Sequence, residues 1–179
     1  EVPLAEGIVN VLSTDSRLVF GPNKDAARIE SDKSYAKELM RQASIPSADA
    51  RAFTDIDAAK RYLLRGLDRE LEDTNKELAE EVSLFLECCD PTEKHGNVRF
   101  SEELTELLNH RVEPCVVKAS GLAAGKGVFV CKTVGEALLA INHIMKDNAF
   151  GNAGNKILIE EFMTGEEVSV IALVDGGTI

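Results

Sequence analysis

The chain has 179 residues, 44% of them hydrophobic, enough to bury a sizeable core in one domain or in one domain plus part of another. Its formal net charge of −11 excludes a broad cationic face for nucleic acid or anionic lipid, so any anion site has to be local. No apolar run approaches the roughly 20 residues that span a bilayer, and Glu1 to Gly7 lacks the positive start of a secretory signal; this reads as a cytoplasmic protein with no membrane contact.

In chain order, Pro3 to Leu12 carries Leu4, Ile8, Val9, Val11 and Leu12 at helical spacing, and the β-type run Leu18 to Phe20 ends at Gly21-Pro22. Beginning at Glu1, the chain reads as an excerpt that opens on the last helix and strand of a preceding unit. A helix is expected from Ser31, with Tyr35, Ala36, Leu39, Met40 and Ala43 on one face and Pro46 beyond its end. Thr54-Asp55-Ile56-Asp57 has capping-box spacing and predicts a third helix through Ala58, Ala59, Tyr62 and Leu63.

From Leu64 to Glu113 the composition turns acidic, while Leu64, Leu71, Leu78 and Phe85 recur every seven residues. A partner-binding coiled coil and an amphipathic segment packed on its own domain both fit. The intermediate positions Thr74 and Glu81 are polar, which favours the second. Pro91 to Asn97 reads as a polar loop, and Ser101 caps a short helix that opens on Glu102 and Glu103. Cys88, Cys89, Cys115 and Cys131 have no disulfide-framework spacing and read as buried thiols, and Cys88, Cys89 and His95 lack the paired spacing of a zinc site.

After Pro114 the order is strand, loop, strand, helix, strand, strand. Cys115 to Ala119 and Val128 to Cys131 read as a hairpin, and Val134, Ala137, Leu138, Ile141, Ile144 and Met145 as a helix covering it. Lys156 to Met163 alternates, with Leu158 and Glu160 on one side and Ile157, Ile159 and Glu161 on the other. Val168 to Val174 is expected to be a last strand closing at Asp175-Gly176-Gly177.

The hairpin loop Gly121-Leu-Ala-Ala-Gly125-Lys126-Gly127 fails the phosphate-loop pattern of nucleotide-binding proteins. Three residues separate its first glycines, a glycine follows the lysine, and a strand comes next. Its backbone can still approach an anion closely, with successive amides forming a concavity and the hairpin tip closing as a lid. Lys118 and Lys126 then either face phosphates or are simply solvated. In "ILIEEFMTGEEVSV" two acidic pairs flank an extended hinge, Phe162 to Gly165. Such a hinge can offer backbone groups to adenine and a carboxylate to ribose, or the acids can be a solvated strand edge.

"VVKASGLAAGKGVFV", "FGNAGNKILIEEFMTGEEVSVIALVDG" and "FGPNKDAARIESDKSYAKELMRQASIPSA" together resemble the phosphoribosylamine-glycine ligase family, the glycinamide ribonucleotide synthetases of the ATP-grasp superfamily, over residues 1 to 63 and 114 to 179. The resemblance implies an α/β (α+β) partial ATP-grasp fold. Residues 1–20 would be the tail of an N-terminal domain, 21–63 linker helices, 64–113 an acidic helical insertion, 114–165 the small lobe of antiparallel sheet with a covering helix, and 166–179 the first strand of the large lobe. It implies an ATP site of Lys33 and Lys118 on phosphates, the loop Gly121, Gly125, Lys126 and Gly127, Glu161 and Met163 on adenine, Glu167 on ribose, and Glu160 beside them.

The implied reaction joins glycine to 5-phosphoribosylamine through a glycyl phosphate, giving glycinamide ribonucleotide, ADP and phosphate in purine synthesis. Mg²⁺ would be held by residues beyond 179, with no catalytic or metal ligand in this stretch, which by itself would not turn over. The aspartate that usually opens the family loop is Ser120 here. Another ATP-grasp carboxylate-amine ligase, or a non-catalytic nucleotide-binding or interaction module, are the rival readings.

Overall fold

The computed structural model describes residues 1–87, 100–172 and 174. Helices α1 (Val2–Ala5) and α2 (Ile8–Leu12) replace the single predicted first helix, because Gly7 turns the chain through a left-handed conformation at φ 88°. Leu18 to Phe20 is not a strand. The only pairing in that region among the described residues is an isolated bridge between Thr14 and Arg17, and Leu18 and Phe20 are exposed.

A further helix that the sequence reading did not expect, α3 (Lys24–Ser31), precedes the predicted helix from Ser31, which forms as α4 (Lys33–Gln42). In α3 the Asn23 side chain accepts from Ala26 N, and in α4 Asp32 accepts from Tyr35 N, so each helix has its own cap. Strand β1 (Ala50–Phe53) was not legible in the sequence: Ala-Arg-Ala-Phe offers one strong β former and no alternation, and pairing alone makes it a strand. Helix α5 (Ile56–Leu64) is capped by Asp55, which accepts from Ala58 N at 2.6 Å, and not by Thr54.

Helices α6 (Leu67–Leu71), α7 (Lys76–Glu87) and α8 (Glu102–His110) follow, the last capped by Ser101 as expected. Strands β2 (Val112–Ala119) and β3 (Val128–Thr133) form the predicted hairpin, with Cys115 opposite Cys131 and Lys118 opposite Val128. Pro114 has no N–H to give the ladder, and the β2–β3 register shifts between Val112 and Cys115. Helix α9 (Val134–Ile141) continues as a π turn over Asn142–Lys146, and β4 (Ile157–Glu161) follows. The sheet is antiparallel in the order β1-β4-β2-β3.

The predicted strand Val168 to Val174 does not form among the described residues. Residues 168–172 and 174 are exposed and have no partner strand, and a strand exists only through pairing. The expected turn at Asp175, and the metal reading of Cys88, Cys89 and His95, lie outside the described residues.

Three layers result. Helices α5 and α9 cover the sheet face that carries Val117, Ala119, Cys131, Ile157 and Ile159. Helices α6, α7 and α8 pack outside them, burying Leu71, Leu78, Val82, Phe85, Leu104 and Leu108 against Leu64, Val134 and Leu138. The heptad positions Leu64, Leu71, Leu78 and Phe85 thus belong to three separate helices and close on their own domain, each fully buried leucine contributing about 1.5–3 kcal/mol. Cys131 is buried and Cys115 half-buried, both unpaired. Within α5, Asp57 and Lys60 are also buried; burial pushes the Lys60 ammonium down, against the pull of Asp57 and with a further push from Lys146.

Candidate functional site

Alternation along β2 turns Val117 and Ala119 toward α9 and leaves Lys118 on the opposite face, where α4 crosses β4. There Lys118 Nζ donates to Glu160 Oε2 at 2.7 Å. Lys118 pairs with Leu158 and Val116 with Glu160 in the β2–β4 register, so the contact is a diagonal one on a single sheet face. Glu160 is 5% exposed, and Lys37 Nζ lies 3.6 Å from the same oxygen while donating to Ala48 O at 2.7 Å. One buried carboxylate is therefore held between two ammonium groups, the arrangement that makes burial of a charge tolerable.

Lys33, one turn before Lys37 on α4, comes to the start of the glycine loop. Its N–H donates to Ser120 O at 2.9 Å and its ammonium to Gly121 O at 3.3 Å. The loop itself is tightly built. Ala119 N donates to Gly127 O at 2.8 Å, Gly121 N to Ala153 O at 3.1 Å, and Lys126 N to Ala123 O at 2.9 Å. A Cβ on Gly121 would stand 2.7 Å from Ala153 Cα, and one on Gly127 2.7 Å from Ala123 Cβ; Gly125 adopts φ 75° in open space. Lys126 is exposed at the tip.

A cavity of about 1100 Å³ wraps the β1–β4 edge of the sheet, lined by Ser34, Lys37, Arg41 and Glu160 on this face and by Arg51 and Tyr62 on the α5 side. Lys118 reaches it through Glu160, and Lys33 adjoins it through Ser34. Glu161 is exposed; its N–H donates to Asp49 O at 2.9 Å, and its carboxylate accepts from Asp49 N at 3.3 Å. Met163 and Glu167 lie exposed in the irregular segment after β4 and are not gathered with the lysines. The structure therefore brings Lys33, Lys118, Gly121, Gly127 and Glu160 into one neighbourhood, sets Gly125 and Lys126 at the exposed loop tip, and leaves Met163 and Glu167 apart.

Two cations escaped the sequence reading. Lys37 sits four residues after Lys33 on the same helix face, a spacing that could have flagged it. Lys156, just before β4, donates to Ser34 Oγ at 3.1 Å and accepts Ser120 N on its carbonyl at 2.9 Å; no local signal marks it. The ammonium groups of Lys33, Lys37, Lys118 and Lys156 beside a glycine-rich backbone suit a polyphosphate, whose charge they can offset.

Residues 74–179 match the family described as "Phosphoribosylglycinamide synthetase, ATP-grasp (A) domain". Over all 179 residues the chain is 41% identical to a phosphoribosylamine–glycine ligase of Rhodopirellula baltica and 39% identical to one of Nostoc, covering 32% and 31% of those proteins. The chain thus spans about a third of the length of these curated relatives. A crystal structure of phosphoribosylamine–glycine ligase from Thermotoga maritima is 24% identical, with a TM-score of 0.49 over 86% of this chain and 28% of that one.

Proposed function

Since the chain belongs to the phosphoribosylglycinamide synthetase ATP-grasp family, we propose that it supplies the ATP-gripping small lobe of a cytoplasmic ligase that joins glycine to 5-phosphoribosylamine, with glycinamide ribonucleotide, ADP and phosphate as products. The observation that carries this reading is the convergence of Lys33 and Lys118 on one sheet face beside the glycine loop, although 85 positions separate them in sequence. In this reading Lys33, Lys118 and Lys126, with the amides of Gly121, Gly125 and Gly127, hold the phosphates. The hinge offers Glu161 C=O and Met163 N–H to adenine and Glu167 to ribose, and Glu160 keeps Lys118 oriented until phosphate competes for it.

The chemistry needs little more from these residues than placement and charge. Phosphoryl transfer from ATP to the glycine carboxylate builds negative charge on the transferring oxygens, and fixed ammonium and amide groups lower its energy. The amine of 5-phosphoribosylamine then attacks the acyl carbon; the C–N bond forms as the C–O bond to phosphate breaks, and phosphate and a proton leave. Mg²⁺ supplies further charge neutralisation when bound; among the described residues no three acidic, histidine or cysteine side chains converge, and none is assigned to it. The domain division follows the same reading, with 1–20 the tail of an N-terminal domain, 21–63 linker helices, 64–113 a helical insertion, 114–165 the small lobe and 166–179 the entry to the large lobe.

The test is titration of ATP into the protein at its full natural length. Lys118→Ala and Lys33→Ala are each expected to weaken ATP binding by about tenfold or more, the worth of a charge-assisted contact. Unchanged affinity in both variants would overturn the assignment. Among the rivals, a partner-binding coiled coil loses ground because its apolar seam is already buried on α5 and α9.

A further inference from the structure

The head of α4 has little apolar anchorage, since Ala36 is the one buried residue of that helix. Hydrophobic burial therefore cannot fix where Lys33 stands against a loop 88 residues away. A closed polar ring does so instead. Asp32 Oδ1 accepts from Ser34 Oγ at 2.7 Å, from Ser120 Oγ at 3.0 Å and from Tyr35 N at 3.1 Å. Ser120 Oγ in turn accepts from Ser34 N at 3.1 Å, and Ser34 Oγ accepts from Lys156 Nζ at 3.1 Å. Each of the two hydroxyls donates one bond and accepts one, Asp32 Oδ1 only accepts, and Ser120 is 5% exposed. The Ser120 backbone is pinned as well, its C=O by Lys33 N and its N–H by Lys156 O, both at 2.9 Å.

We propose that Asp32 and Ser120 are positioning residues forming one clasp, which holds Lys33 against the glycine loop and needs a single carboxylate shared across the pair. The inference rests on the nucleotide reading above. Only one of the two positions can carry the negative charge: two carboxylates about 3 Å apart repel, and two hydroxyls leave the Ser34 proton and the Lys156 charge without their acceptor. Burial works against the charged form of Asp32, but the bonds from Ser34, Tyr35 N–H and Ser120, with Lys156 nearby, outweigh it and hold its carboxyl below the usual range, so the ring stays charged near neutral pH. Exchanging the two side chains preserves the count of charges, donors and acceptors, and a hydroxyl at position 32 can still cap α4.

The experiment is ATP titration, with steady-state kinetics, of the protein at natural length as wild type, D32S, S120D and the D32S/S120D exchange. Each single variant is expected to bind ATP about tenfold more weakly, and the exchange to return to within about threefold of wild type. The loss should fall on the KM for ATP and spare the KM for glycine, which a general loss of structure would not do. Wild-type affinity in D32S, or an exchange variant as weak as the product of the singles, overturns the clasp. Where S120D does not fold, D32N decides: it keeps shape and cap but not charge, so weaker ATP binding supports the clasp and unchanged binding overturns it. Wild-type protein that fails to bind ATP overturns the nucleotide reading itself, whereas binding that is indifferent to Asp32 overturns the clasp alone.

Discussion

Gly125 and Gly127 stand two residues apart in one loop and are glycine for different reasons. Gly125 sits at φ 75° with open space around it, so Gly125→Ala meets only backbone strain, about 1–2 kcal/mol. Gly127→Ala would place a methyl 2.7 Å from Ala123 Cβ and 2.9 Å from Ala119 Cβ, both on rigid backbone, so the loop itself must move. Gly127→Ala is therefore expected to weaken ATP binding more than Gly125→Ala, measured by titration; equal effects would argue against a tightly built loop. The glycine spacing was legible in the sequence because backbone permissiveness is a property of one residue. The bond from Lys118 to Glu160 was not, because the two lie 42 positions apart and only the β2–β4 register sets them on one face.

At the scale of elements, caps decide where helices begin. Asp55, not Thr54, bonds the Ala58 amide, so Asp55→Ala is expected to cost about 1 kcal/mol in urea unfolding and Thr54→Ala a few tenths at most. The reverse order would restore the capping box that the sequence suggested. Residues of both kinds favour caps, and a one-residue shift of start is beyond what composition can choose. Periodicity served better for α8 and α9, where the apolar spacing and the Ser101 cap both match the structure. It served worse for β1, a strand made by its partner, and for residues 168–172, which have the composition of a strand and no strand to pair with among the described residues.

In the whole molecule, the acidic stretch works as an outer layer over the helices that cover the sheet. Leu104 is wholly buried in that layer while Leu84, on the neighbouring helix, is 70% exposed. Leu104→Ala is expected to cost about 2–5 kcal/mol in urea unfolding, and Leu84→Ala to stay within about 0.5 kcal/mol. Similar small effects from both would mean that the layer does not fold as one unit with the lobe. The sequence by itself determined the hairpin with its glycine loop, the helix over it and the acidic strand end, because local spacing encodes period, turn and charge. Only the tertiary structure decided that Lys33, Lys37, Lys118 and Lys156 gather around Glu160 and Asp32, and that the heptad closes on its own domain. Those outcomes depend on register and layer order, which arise when distant segments bury a common surface and which no short window of residues contains.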